Sequence, residues 1–124
     1  MQPFVVKVDI AHNVLRSQFR GSVQATHMRG PVDRLQPLLK RLAPRFTLIT
    51  DLTDLESMDL DCVPHLARFM DQCRAAGVAR VIRVIPNPEK DIGFKLLSLT
   101  HYRGKVPIVI CESRAEADHE LARA

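Results

Sequence analysis

The chain has 124 residues, a formal net charge of +4, 46% hydrophobic residues and 26% charged ones. That length fits one domain with a real hydrophobic core, and that balance excludes wholesale disorder. No apolar stretch approaches the ~18 to 20 residues that cross a bilayer, and "MQPFVVKVDIAHN" meets an acid and a polar break too early for a secretory leader.

In chain order, "FVVKVDI" (4–10) is rich in β-branched residues and reads as a strand. "AHN" is a turn, and "VLRSQFRGSV" (14–23) alternates apolar and polar as a half-buried strand, expected to pair with the first as a hairpin. Gly30-Pro31 punctuates "QATHMRGP" (24–31), which reads as a loop. Val32, Leu35, Leu38 or Leu39, and Leu42 then recur at helical spacing, and Pro44 stops that helix. "FTLITDL" (46–52) is a nearly continuous apolar run, as in a central strand covered on both faces.

An acidic turn follows, with Asp51, Asp54, Glu56, Asp59 and Asp61 close together. Val63, Leu66, Met70 and Cys73 mark one face of a second helix, for which Gly77 is the expected C-terminal cap. "VARVIRVI" (78–85) is a further strand and "PNPEKD" a turn. Asp91 is placed to cap a third helix, "IGFKLLSLTHY". "VPIVIC" (106–111) is the last strand, and Ser113 with Glu116 forms a capping box for a charged terminal helix. The order β-β-α-β-α-β-α-β-α predicts an α/β fold, a mixed and largely parallel sheet with helices packed on it, in a single domain spanning 1–124.

Several chemistries can be weighed on residue types alone. Lys and Arg are scattered among acids, Tyr occurs once and Trp is absent, which argues against a nucleic-acid surface. Cys62, Cys73 and Cys111 cannot all pair and no two form CxxC, so reduced thiols in the cytoplasm are expected. Cys62 and His65 share a helical face but lack the further ligands of a zinc site, and no orienting group marks them as a nucleophile pair. No glycine loop of phosphate-cradling type occurs, and no cofactor or metal is expected. Asp59 or Asp61 is expected to cap the second helix, for about 0.5 to 2 kcal/mol. Asp51, at a strand's carboxyl end, and Asp91 mark a crevice that could take a small ligand. The helix "IGFKLLSLTHY" is apolar around much of its circumference and is a candidate contact surface.

The stretch "FTLITDLTDLESMDLDCVPHLARFMDQCRAAGVARVIRVI" resembles the STAS domain, the family of sulfate-transporter and anti-sigma-factor-antagonist domains. That family runs from a strand through Asp-Leu to a Met/Ile-Asp-Ser-Ser-Gly-like motif that opens a helix. Here Met58 and Asp59 match the motif, but Leu60-Asp61-Cys62 stands where the family has Ser-Ser-Gly. In the antagonists the second serine of that motif is phosphorylated by a partner kinase, and Asp61 occupies its position. Asp61 carries about one negative charge against nearer two for phosphoserine, and accepts no phosphate from a serine kinase.

The resemblance therefore implies a bacterial, non-enzymatic regulatory or scaffolding domain without a serine phospho-switch. Its partner would be a kinase-like protein or a membrane sensor, with a homodimer as a related arrangement. The expected contact surface comprises Ser57, Asp59, Asp61, Cys62 and His65 in 57–66, with Phe94 in the 91–102 helix. The alternatives are a nucleotide- or lipid-binding module near Asp51 and Asp91, and a Cys62/His65 enzyme.

Overall fold

A computed structural model describes residues 2–87, 102 and 105–123. Strand β1 (Phe4–Asp9) and strand β2 (Val14–Val23) form an antiparallel hairpin in which Phe4 faces Phe19 and Asp9 faces Val14. Helices α1 (Ala25–Asp33) and α2 (Leu35–Leu39) lead to β3 (Thr47–Met58). A short 3-10 turn (Leu60–Cys62) opens α3 (Val63–Ala75), followed by β4 (Arg80–Val84), β5 (Ile108–Cys111) and α4 (Arg114–Ala122). The sheet order is β1-β2-β3-β4-β5, and every pair after the first is parallel. This is the mixed, largely parallel α/β sheet that the alternation of elements predicted.

Three boundaries differ from the sequence reading. The segment expected to be a loop is α1, with Gly30 and Pro31 inside it. Its apolar residues Met28 and Val32 are both buried and one helical turn apart, and packing them on the sheet outweighs the proline's cost of roughly 3 kcal/mol. The helix expected over 32–42 breaks after Asp33 and resumes as the five-residue α2. Finally, β3 runs through most of the acidic stretch to Met58 rather than ending at Leu52.

The β3 extension was hidden by a broken alternation. Between Gln18↔Asp51 and Arg20↔Asp54, β2 advances two residues while β3 advances three. A second slip separates Gly21↔Leu55 from Ser22↔Ser57. Each extra residue resets which side faces the core, so Leu52 and Leu55 are both buried although three apart. Gly77 does terminate α3: its φ is +96°, Val78 N–H donates to Cys73 O and Gly77 N–H to Arg74 O, both at 3.1 Å. That pair of bonds is a Schellman motif, and a side chain at Gly77 would be strained.

The two sheet faces are covered differently. Helices α1 to α3 pack Met28, Val32, Leu35, Leu66, Phe69 and Met70 on one face, against Phe4, Leu15, Phe19, Leu48 and Val81. Phe4 contacts Phe19 with ring centroids 4.6 Å apart and Phe69 edge-on at 5.7 Å. The second face carries a smaller cluster of Val14, Ile49, Ile82, Val84, Cys111 and Ala117, the last from α4.

Candidate functional site

The acidic stretch separates into two pairs with different work. Asp51 and Asp54 point from β3 toward α4, where Arg114 grips both. Its Nε donates to Asp51 Oδ2 at 2.7 Å and its terminal nitrogen to Asp54 Oδ2 at 2.8 Å. The other Asp51 oxygen accepts from the Thr53 amide at 3.0 Å and from the Thr53 hydroxyl. Partial burial opposes ionisation of Asp51, but the bonds from Thr53 and Arg114 together outweigh it and hold the carboxyl below the usual aspartate range. The Asp51 carboxylate is thus engaged on both oxygens by the fold itself. It lines a cavity of about 340 Å³ between the sheet and α4, with Lys7, Arg16, Gln18, Arg114 and Asp118.

Asp59 and Asp61 lie beyond the end of β3 and are exposed. The backbone between them is pinned to the end of β2. Asp59 N–H donates to Val23 O at 3.0 Å, and Cys62 N–H donates to Asp59 O at 3.0 Å. Ser57 Oγ donates to Ser22 Oγ at 3.1 Å, tying the last residues of the strand to its neighbour. The expectation that Asp59 or Asp61 caps the second helix is corrected. Asp59 precedes the 3-10 turn with extended backbone and makes no side-chain capping bond, and Cys62 occupies the N-cap of α3. Pro64 in the first turn of α3 has no N–H, which reduces the donors a cap would have to satisfy.

The same geometry turns Leu60 outward. It is 86% exposed, and Val63 beside it is 41% exposed. Leu60 between two carboxylates, with Val63 just after them, on a backbone held by two hydrogen bonds, is the main apolar projection of this turn. The sequence reading passed over Leu60, because an isolated leucine between two aspartates has no periodic pattern to join, and it put Val63 on the apolar face of the second helix, which the 41% exposure of that residue corrects.

Cys62 lies elsewhere than expected. It is fully buried, its thiol donates to Val23 O at 3.5 Å, and it offers no contact area. Burial raises its pKa, the Asp59 charge adds to this, and the opposing backbone bond is too weak to reverse it. A nucleophilic thiolate needs the opposite shift. His65 is half-buried on α3 with its Nδ1 enclosed and without a hydrogen-bond partner, and no bond joins it to Cys62 among the described residues. The third helix expected over 91–102, with Asp91 and Phe94, lies outside the described residues. Among those described, no group of three His, Cys, Asp or Glu is placed to hold a metal ion, and no helix is long and apolar enough to cross a membrane.

No protein-family model and no curated protein sequence matches the chain. Solved structures do. A DUF3478-family protein with a SpoIIAA-like fold from Shewanella loihica PV-4 superposes with a TM-score of 0.74 at 11% identity, covering 98% of this chain and 96% of that one. The anti-sigma factor antagonist SpoIIAA in its unphosphorylated form gives 0.65 at 16% identity, covering 98% of each chain. The phosphorylated Bacillus cell-fate determinant SpoIIAA gives 0.61 at 16% identity, over 95% of this chain and 98% of that one.

The fold is STAS-like. The Leu60–Cys62 turn of this STAS-like domain sits between β3 and α3, where the motif resemblance put Ser-Ser-Gly. Arg114 also escaped the sequence reading, although one signal was present. A cation in the first turn of a helix runs against the macrodipole and calls for nearby anions, which Asp51 and Asp54 supply.

Proposed function

We propose that this chain is a non-enzymatic regulatory or scaffolding domain that binds a protein partner through the turn and helix start at 57–66. The observation that carries the reading is Leu60, 86% exposed on a pinned backbone, with Val63 beside it and Asp59 and Asp61 around it. Covering a rigid aliphatic projection releases its hydration at little cost in conformational entropy, while the carboxylates select against acidic surfaces. The partner that fits presents an apolar pocket rimmed by Lys or Arg. In kind it would be a kinase-like protein or a membrane sensor, and a second copy of this chain is a related arrangement.

Asp61 supports a turn without a phospho-switch, because a carboxylate stands where the motif resemblance puts the phosphorylated serine. The buried Cys62, with its raised pKa, favours binding over catalysis. Three free thiols support a cytoplasmic placement. The helix expected over 91–102, with Phe94, lies outside the described residues and is kept as a flanking contact on its apolar sequence pattern alone.

The test is affinity capture from the native source with the parent chain, Leu60→Asp, Asp61→Lys and, on the distant sheet face, Lys7→Glu. A defined partner held by the parent and by Lys7→Glu, and lost with both turn variants, is the expected result. Retention by both turn variants would sink the contact-surface reading.

A further inference from the structure

Helix α4 is attached to the sheet in an unusual balance of forces. Its one buried residue is Ala117, the smallest apolar side chain available, with Leu121 packed only in part. Polar bonds at both ends hold it instead. At its start Arg114 clasps Asp51 and Asp54 on β3. At its end Arg80 of β4 reaches across the sheet face. The Arg80 Nε donates to Thr47 Oγ1 at 3.0 Å, and its terminal nitrogens donate to Glu120 O at 3.3 Å, Leu121 O at 3.2 Å and Arg123 O at 3.4 Å. Those carbonyls lie at the helix end, where acceptors run short of N–H partners, and Glu120 O also accepts from the Arg123 N–H at 3.2 Å.

The large core on the opposite face is built from α1, α2, α3 and the sheet, and contains no residue of α4. Beneath α4 lies Cys111, 4% exposed and packed in the small cluster with Ala117. The other two thiols, Cys62 and Cys73, belong to the large core. A segment with little apolar burial and few cross-links has a local opening free energy well below that of the whole domain.

We propose that α4 is a detachable clasp: the two arginine forks hold it over the second sheet face, and it opens as a unit, uncovering Cys111, while the α1–α3 face stays folded. The ion pairs of the Arg114 fork, partly exposed, weaken as ionic strength rises, so opening is favoured by salt.

The test is thiol alkylation of the intact, reduced chain with iodoacetamide, the modified cysteine being assigned by peptide mass, at low salt and at about 1 M salt. Cys111 is expected to label faster than Cys62 and Cys73, and faster still at high salt. Arg114→Gln should raise the Cys111 rate about tenfold, about 1.4 kcal/mol in the opening equilibrium, with the other two thiols unchanged. Asp54→Asn, which removes an exposed carboxylate and leaves the core untouched, should act in the same direction by less. Backbone hydrogen exchange over 114–122 should accelerate in parallel. The clasp is disproved if all three thiols speed up together, since that is global unfolding, or if neither variant moves the Cys111 rate.

Discussion

On one face of the sheet, three helices bury four phenylalanines and a dozen aliphatic side chains. On the other, α4 buries an alanine and is located by two arginines. The first arrangement gains most of its free energy from area removed from water, which is large and non-directional. The second gains little from area and much of its geometry from charge-assisted hydrogen bonds, which are directional and open to solvent at their edges. Apolar packing therefore carries the stability of this domain, while charge decides where its last element sits.

That contrast can be broken in four places, in decreasing order of expected effect. Phe69→Ala removes the ring that meets Phe4 edge-on in the large core, and should cost about 3 to 5 kcal/mol in urea denaturation. A loss below about 1 kcal/mol would mean that the helical face is not the principal core. Arg80→Ala should cost about 1.5 to 3 kcal/mol by removing one fork from the end of α4. Exchange protection should fall over 114–122, where local opening breaks those bonds.

Asp51→Asn sharpens the electrostatic half of the comparison through pH. Because the folded-state pKa of Asp51 lies below its unfolded value, its contribution is fully present above about pH 4 and is lost as the pH falls through the lower, folded value. The parent chain should lose stability along that acid limb, and the Asn variant should show a flatter limb in acid titrations of the melting temperature. An unchanged limb would remove Asp51 from the account. Last, Leu60→Asp should alter stability by no more than about 0.5 kcal/mol, since the side chain is in water already, while abolishing partner capture.

Legibility in the sequence followed the same divide. The Gly77 cap, the Ser113–Glu116 box and the strand-rich runs were readable because each depends on neighbours a few residues away. Ser113 Oγ accepts from the Glu116 amide at 3.1 Å, which is the cap half of the expected box, while the Glu116 carboxylate accepts from Glu112 N–H at 2.9 Å rather than from Ser113. The loop reading of 24–31 failed because Gly30 and Pro31 are local breakers, whereas the burial of Met28 and Val32 that keeps α1 helical depends on a sheet formed elsewhere. The end of β3 was missed because its register slips are set by its pairing with β2. At the candidate site, Asp59 and Asp61 were identified from the motif, but Leu60, Val63 and Arg114 were not.

By itself the sequence determined the alternation of strands and helices, and with it the STAS-like sheet, because hydrophobic period and cap chemistry are local properties of the chain. Tertiary structure decided what each acid does. Asp51 and Asp54 became anchors because α4, more than fifty residues away in sequence, places Arg114 beside them. Asp59 and Asp61 stayed in water because the turn is tied to Val23 with its side chains outward, and the same tie buried Cys62 and exposed Leu60. Pairing across the fold, which no local pattern encodes, divided one acidic stretch into a structural clasp and a candidate surface for a partner.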